Sequence, residues 1–213
     1  MKKLFAAVAL VAALSVAGKA HAQLTVNLGY APETFKTTTS VLSQSLTESQ
    51  NYQGFFAGVT YNIALVKGLG LATGAEVRMN MKSSEANLLG VVTSTKDRQF
   101  LIDVPVLLNY GFKINRDITI TPFAGPMLSL AASGKTDTKT FFGDTQLTDT
   151  DFDWYGDNSD LGRFNLYGVF GGAIGYKQFN LFAGYRAGFL DLYGNENATL
   201  KTNGFFIGLG FGF

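Results

Sequence analysis

The sequence predicts an all-β fold: an eight-stranded antiparallel up-and-down transmembrane β-barrel that follows a cleaved signal peptide. Three observations support this fold class. Apolar and polar residues alternate at period two through most of the chain, no apolar stripe recurs at helical spacing, and the connections between the predicted strands are alternately long and short. We therefore divide the 213 residues into a signal peptide, 1–22, and one outer-membrane β-barrel domain, 23–213.

The first 22 residues have the three parts of a secretory signal peptide. Lys2 and Lys3 precede an apolar stretch at 4–17, and Ala20-His21-Ala22 forms a small-x-small cleavage site. The alternative is an N-terminal membrane anchor, but the apolar stretch is shorter than the roughly 20 residues that a spanning helix needs. Cleavage before Gln23 removes the only histidine and leaves 14 basic and 16 acidic side chains. We therefore expect an exported protein.

Eight segments show the alternation of a strand with one apolar and one polar face. In segment 69–81 the odd-numbered positions are mostly apolar, whereas the even-numbered ones are small or charged and include Glu76 and Arg78. The predicted strands are 24–30, 55–64, 69–81, 98–112, 118–130, 164–176, 179–190 and 202–213. The predicted connections are long and polar at 31–51, 82–97, 131–160 and 191–201, and short at 65–68, 113–117 and 177–178.

This arrangement of connections and charges predicts which face of the sheet meets lipid. Four long connections at one end and three short turns at the other are typical of an up-and-down barrel with both termini at the short-turn end. The polar faces carry Glu76, Arg78, Asp103 and Arg186, while the opposite faces are almost free of charge. A soluble barrel would need the opposite polarity, so we expect the apolar face to contact lipid and the charged face to line the lumen.

The composition of the mature chain excludes much of enzyme chemistry. It has no cysteine and no histidine, so it offers no Ser-His-Asp or Cys-His nucleophile, no ordinary zinc site and no disulfide. Its near-zero net charge also gives no basic footprint for nucleic acid. We therefore expect a protein that is not an enzyme.

The last predicted strand and two internal motifs resemble known outer-membrane sequences. The terminal run resembles the signal by which the β-barrel assembly machinery recognises its substrates, through Phe205, Ile207, Leu209, Phe211 and Phe213. Segments 104–110 (VPVLLNY) and 120–126 (ITPFAGP) are similar to the P-x-L-L-x-Y and P-[YF]-x-G-x-G-P stretches of the porin-like outer-membrane β-barrel domain, in the form common in Bacteroidetes; Ala124 departs from the second pattern. The resemblance implies a small barrel like OmpA or OmpX in a Gram-negative bacterium. Because the chain ends inside a strand, we expect no peptidoglycan-binding domain.

The four charged lumen residues, Glu76, Arg78, Asp103 and Arg186, are the first candidate site. The interior of an eight-stranded barrel is only wide enough for side chains to fill. We therefore expect these groups to pair and hydrogen-bond as a polar network. The alternative is a narrow gated path whose ion selectivity they would set.

The acidic connection 131–160 is the second candidate site. Asp149, Asp151, Asp153, Asp157 and Asp160 occupy positions 1, 3, 5, 9 and 12 of an EF-hand-like register, a spacing that would wrap carboxylate oxygens around Ca²⁺. Trp154 stands where an EF-hand needs glycine, and no helices flank the segment. The other interpretations are a solvated acidic loop, or one that shares divalent cations with surface lipopolysaccharide.

These observations favour a non-enzymatic component of the bacterial envelope, located in the cell outer membrane. Its lumen would be filled by side chains, and its long surface loops would serve binding or adhesion. The alternative is a small porin or channel for ions or small solutes. The expected partners are outer-membrane lipid, lipopolysaccharide, the β-barrel assembly machinery and an extracellular ligand that no motif identifies. The one candidate cofactor that the sequence suggests is Ca²⁺.

Overall fold

The computed structural model describes residues 23–41, 44–143, 145–156, 159, 161–193 and 198–213, which form one antiparallel sheet. The predicted signal peptide, 1–22, lies outside the described residues. The eleven strands of the described chain are β1 (Gln23–Tyr30), β2 (Glu33–Val41), β3 (Gln44–Val66), β4 (Leu69–Leu88), β5 (Val91–Tyr110), β6 (Phe112–Lys113), β7 (Ile118–Phe142), β8 (Thr145–Asp153), β9 (Phe164–Tyr176), β10 (Phe179–Gly188) and β11 (Ala198–Gly212). This part of the chain has no helix with the length and apolarity needed to span a membrane.

The strand pairings of the described chain return to their starting point. From β11 the sheet runs through β10, β9, β7, β5 and β4 to β3. β1 then pairs with both β3 and β11, and so does β2. β6 and β8 lie off this path, and each of them pairs with β7. The last strand is therefore joined to the first by regular antiparallel registers, such as Val26 with Phe211 and Lys36 with Lys201.

The strand count of the described chain is eleven, so the prediction of eight was wrong as a count of elements. β1 and β2 are separated at Ala31-Pro32, because proline has no N–H to donate to a ladder. β6 follows β5 after Gly111, and both pair with β7. β8 is an additional strand that folds back on β7.

Three of the predicted long connections are mostly strand. Segment 31–51 contains β2 and the start of β3, segment 82–97 is a hairpin of β4 and β5, and segment 131–160 contains the end of β7 and all of β8. These segments are rich in threonine, serine and other polar residues on both faces, so they lack the apolar alternation on which the prediction relied. Threonine nevertheless fits a strand well, because its branched Cβ packs on a pleated surface.

The two faces of the sheet have the polarity that the sequence predicts. Arg78, Asn80 and Asp103, which alternate with apolar residues, are fully buried, as are Glu33, Ser129 and Thr202. On the opposite face large apolar side chains are exposed, among them Leu209, with 56% of its surface accessible, and Phe205, with 68%. The sheet therefore encloses a polar interior and presents an apolar exterior.

Inward-facing phenylalanines fill space that inward-facing glycines leave open. A Cβ atom on Gly208 would lie 2.5 Å from Cζ of Phe182, and one on Gly184 would lie 2.5 Å from Cζ of Phe206. Real Cβ contacts are not this short, so each ring requires a glycine on the adjoining strand. The glycine-rich run of β11 is thus explained by packing in the interior.

Candidate functional site

A buried guanidinium in the interior is bonded to two buried carboxylates. The side chain of Arg78, on β4, is fully buried; its Nε donates to Oδ2 of Asp103 at 2.7 Å and its Nη2 donates to Oδ1 at 3.3 Å. Its Nη1 donates to the carboxylate of Glu33, which is also fully buried. Ser129 accepts a further bond from Nη2 at 3.4 Å, and the ring of Tyr167 lies 5.5 Å from the guanidinium carbon. One cation is thus shared by two buried carboxylates.

Neutral polar side chains complete this arrangement. Glu33 accepts hydrogen bonds from Nδ2 of Asn80 at 2.5 Å and from the hydroxyl of Tyr167 at 2.6 Å. Asn80 also donates to Gln99 at 3.1 Å, and the hydroxyls of Tyr167 and Thr202 lie 2.7 Å apart. We call this set the interior polar network; it consists of Glu33, Arg78, Asn80, Gln99, Asp103, Ser129, Tyr167 and Thr202. Because its members come from β2, β4, β5, β7, β9 and β11, it crosses the whole interior.

The structure brings together only part of the predicted charged set. Arg78 and Asp103 form the expected pair. Glu76 and Arg186 instead line a cavity beside the network. Nη2 of Arg186 donates to the backbone oxygen of Ala31 at 2.9 Å, while its buried Nε has no hydrogen-bond partner in the described chain. Sequence reasoning missed Glu33, which lies in a segment predicted to be a loop; the signal that would have found it is its spacing two residues from Phe35 in a threonine-rich, strand-compatible run.

A second buried cluster closes the interior at the long-hairpin end. The hairpin-end cluster consists of Phe35, Tyr52, Ala131, Trp154, Tyr155, Leu192 and Leu200. Its rings are in contact: the Phe35 and Tyr52 centroids lie 4.6 Å apart, and Trp154 meets Tyr52 edge-on at 6.1 Å. The hydroxyl of Tyr155 accepts a hydrogen bond from Gln99 at 2.7 Å, which joins this cluster to the interior polar network.

One tyrosine of this cluster has an altered acidity. The ring of Tyr52 is 5% exposed, and its hydroxyl donates to Asp97 at 3.2 Å. Burial, and then the negative charge of Asp97, raise the pKa of Tyr52 well above its usual range, because both disfavour a phenolate. The side chain of Tyr52 lies inside, where its ring supports the cluster.

At the short-turn end the interior contains a cavity of about 230 Å³. Four phenylalanines form much of its wall: Phe56, Phe123, Phe182 and Phe206. Its deep end is formed by buried residues that include Met127, Val169 and Arg186. Partly exposed asparagines lie toward the turns, where Asn109 donates to Asn62 at 2.8 Å. The cavity is therefore closed at the polar network and open toward the short turns.

Three of the five predicted calcium ligands lie on a strand. Asp149, Asp151 and Asp153 occupy alternate positions of β8 and are exposed, and Asp149 is paired with Lys139 at 2.9 Å. Alternate residues of a strand are separated by roughly 6–7 Å, so their side chains do not converge as those of a calcium loop do. Asp157 and Asp160 lie outside the described residues. No group of three or more acidic side chains is arranged to hold a metal ion in the part of the chain that the structure describes.

The residues of the predicted assembly signal form the outer face of β11. Phe205, Ile207 and Leu209 are exposed, and the rings of Phe211 and the exposed Phe213 meet edge-on at 5.1 Å. Their position on the outer face is that expected from the alternation. Recognition by an assembly machinery stays a prediction.

Comparison with known proteins finds similarity in fold alone. No protein-family model matches the chain, and no curated protein matches it. Among solved structures, the chain is similar to the attachment invasion locus protein Ail of Yersinia pestis in complex with the heparin analogue sucrose octasulfate, with 14% identity, 90% of this chain and 99% of that chain covered, and a TM-score of 0.44. It is also similar to Neisserial surface protein A (14% identity, 88% and 97% covered, TM-score 0.46) and to the outer-membrane protease OmpT of Escherichia coli (8% identity, 90% and 96% covered, TM-score 0.46). These neighbours are bacterial outer-membrane β-barrel proteins.

Proposed function

We propose that the chain is a transmembrane β-barrel of the bacterial outer membrane. The observation that carries this proposal is the polarity of the sheet: Arg78 and Asp103 are fully buried, whereas the opposite face exposes large apolar side chains such as Leu209. Such a surface is unfavourable in water, because contiguous exposed apolar area drives association. Hydrocarbon favours it, provided that all backbone groups are paired within a closed sheet.

Most of the large apolar side chains that are exposed lie in a band beside the short turns. We assign to the membrane the segments 24–30, 55–65, 69–81, 100–110, 118–130, 164–176, 179–189 and 205–213. Four of these have the length of a tilted crossing strand, about 9–11 residues, while three have 13 residues and one has 7. Since β1 and β2 share one position, β6 continues β5, and β8 pairs only with β7, the circuit has eight positions. Side chains fill the interior of a barrel of that size.

The interior supports a role as a closed, non-enzymatic envelope component. The interior polar network spans the lumen with fully buried, mutually bonded side chains, and the hairpin-end cluster covers it. An ion would have to displace Arg78 from two carboxylates to pass. We therefore place the function outside the lumen, in the hairpins that extend beyond the apolar band.

Those hairpins are long and carry exposed apolar side chains at their tips. β4 and β5 have 20 residues each, about ten more than a crossing requires, and β7 has 25, about fifteen more. At the turn between β4 and β5, Leu88 and Leu89 are 75% and 92% exposed. Exposed apolar groups held on a rigid hairpin are typical of contact surfaces. We propose that the hairpins mediate adhesion to apolar surfaces.

A small channel is the second candidate function, and the cavity favours it. The cavity occupies the short-turn half of the interior, so the network and the cluster are the barriers that remain. A gated path would require these barriers to open together. This candidate predicts discrete conductance that changes when Arg78 or Arg186 is neutralised.

The test combines folding, conductance and adhesion. The mature protein is refolded in lipid, its barrel is verified by heat-modifiable gel mobility, and single-channel currents are recorded; we expect a folded and silent protein. Bacteria that display the protein are then compared for adherence to polystyrene with bacteria that display Leu88→Ser combined with Leu89→Asn. Asparagine suits position 89 because φ is +51° there.

The matched control replaces two exposed apolar residues at the opposite end that lie outside the assigned membrane segments, Val66→Ser combined with Ile114→Ser. We expect adherence to fall several-fold with the hairpin-tip variant and to be unchanged with the control. Equal adherence of both variants would contradict the proposed role of the hairpin tips. Discrete openings of the unaltered protein would replace the closed barrel with the channel.

A further inference from the structure

We propose that the short-turn cavity binds a small apolar molecule that carries a carboxylate beside an ammonium group, as an apolar α-amino acid does. The carboxylate would bind Arg186, the ammonium would bind Glu76, and the apolar part would lie among the phenylalanines. The inference rests on the barrel of the proposed function, but it does not depend on what the hairpins bind.

The first argument is the unsatisfied guanidinium of Arg186. This side chain is 4% exposed, it lines the cavity, and its Nε has no partner in the described chain. A buried charged donor without a partner is costly, and carboxylates are the acceptors that fit the arginine fork best. The nearby acids Glu33 and Asp103 are bonded to Arg78. A carboxylate that enters the cavity would therefore supply what the fold does not.

The second argument is the charge balance at the deep end. The described interior holds three acids, Glu33, Glu76 and Asp103, and two arginines, Arg78 and Arg186. A simple anion would add a fourth negative charge close to Glu76. A zwitterion adds no net charge, and its ammonium would lie beside the carboxylate of Glu76. The same two side chains that favour a carboxylate at one point therefore favour a cation beside it.

The third argument is the shape and chemistry of the walls. The rings of Phe56 and Phe182 lie 6.1 Å apart, and that of Phe206 lies 6.3 Å from both Phe182 and Phe123. A dry apolar cavity of about 150 Å³ is enough for benzene. At about 230 Å³ the cavity has room for a phenyl group and a charged head. Its opening toward the short turns gives the ligand a path that avoids the interior polar network.

The experiment uses the folded protein in lipid nanodiscs and ¹⁹F NMR of 4-fluoro-L-phenylalanine, with empty nanodiscs as the blank. Three competitors are titrated: L-phenylalanine, 3-phenylpropanoate, which lacks the ammonium, and L-phenylalanine amide, which lacks the carboxylate. We expect saturable binding of phenylalanine at one site, at least about tenfold tighter than either analogue. No saturable binding above the blank, or equal binding of either analogue, would overturn the proposal.

Two variants assign each charged contact. Arg186→Gln should abolish the preference for phenylalanine over its amide, and Glu76→Gln should abolish the preference for phenylalanine over phenylpropanoate. Arg98→Gln, an exposed arginine on the hairpin of β4 and β5, is the control and should change neither. Retained preferences in the first two variants would refute the assignment.

Filling the cavity provides a test that does not remove a charge. Ala72 lines the cavity, and Ala72→Phe should prevent binding. Heat-modifiable mobility reports the barrel independently. In the unaltered protein, a well-folded barrel without ligand binding would refute the cavity proposal alone, whereas the absence of a heat-modifiable band would count against the barrel. Undiminished binding by a folded Ala72→Phe variant would refute the assignment of the ligand to this cavity.

Discussion

Replacing Arg78 by methionine should be among the most destabilising single changes in the chain. Methionine keeps an unbranched stem but lacks the guanidinium, so Arg78→Met leaves Glu33 and Asp103 buried without their shared cation. It removes two hydrogen bonds to Asp103, one to Glu33 and one to Ser129. Because the stem is kept, the effect reports mainly the loss of the charged, hydrogen-bonding guanidinium.

The expected magnitude follows from the burial of all three groups. Removing one partner of a buried ion pair costs about 3–5 kcal/mol, because the remaining charge is left without compensation. Here two carboxylates lose the same partner, so we expect the upper part of that range, a loss of about a thousandfold or more in the folding equilibrium. An exposed ion pair contributes about 1 kcal/mol or less. Arg98→Met, which breaks the exposed pair with Asp137, is therefore the control.

The assay is reversible folding into lipid vesicles at increasing urea, with the fraction folded measured by gel mobility. The triple variant Arg78→Met, Glu33→Gln and Asp103→Asn removes the orphaned charges together with their partner. Replacement of a whole buried ionic group is often nearly neutral, so the triple variant should recover most of the stability. A loss of less than about 1 kcal/mol for Arg78→Met, or no recovery in the triple variant, would refute our account of the network.

Three further changes follow from the same structure. Gly208→Ala should destabilise the barrel by about 1–3 kcal/mol in the same urea assay, since its methyl would meet Phe182; Gly172→Ala, whose Cβ has only Thr121 O at 4.0 Å, should not. Raising the pH above about 10 should loosen the hairpin end, because the folded pKa of Tyr52 is raised above the unfolded one. The stability that protonated Tyr52 contributes is present below the unfolded pKa and is lost as the pH rises from there through the folded pKa. Limited proteolysis of Tyr52→Phe should lack this alkaline step. Phe213→Ser should reduce the heat-modifiable fraction in isolated outer membranes, whereas Phe189→Ser should not; equal reduction by both would contradict a terminal assembly signal.

The segments that we propose to cross the membrane could be predicted from the sequence, because their apolar and polar residues alternate at period two. In strands that separate lipid from a polar interior, apolar and polar residues must alternate. Segment 69–81 shows both faces, with Leu69, Leu71 and Val77 on one and Glu76 and Arg78 on the other. In the structure Arg78 and Asp103 are fully buried on the face that this alternation assigns to the interior, and they form an ion pair. The narrow interior of an eight-stranded barrel was the reason to expect pairing among the four charged residues.

The hairpin extensions and half of the site were not predictable in this way. Outside the band both faces of a strand are polar, so β2 and β8 carry no alternation to distinguish them from loops. Glu33 was missed for that reason. Arg186 was predicted to face inward, but the sequence does not show that its Nε lacks a partner. That lack arises because Glu33 and Asp103 are bonded to Arg78, and this pairing is a property of the folded interior.

The interior polar network and the cavity are two consequences of the same choice of partners. Arg78 takes both Glu33 and Asp103, which closes the lumen at that level and satisfies those carboxylates. In the described chain this leaves Arg186 with a bond to the backbone oxygen of Ala31 and an unpartnered Nε, while Glu76 lines the cavity beside the network. The inward phenylalanines line that cavity with apolar rings. In the barrel that we propose, the network would block ions where its charges are satisfied, and the cavity would offer a charged, apolar-walled pocket where they are not.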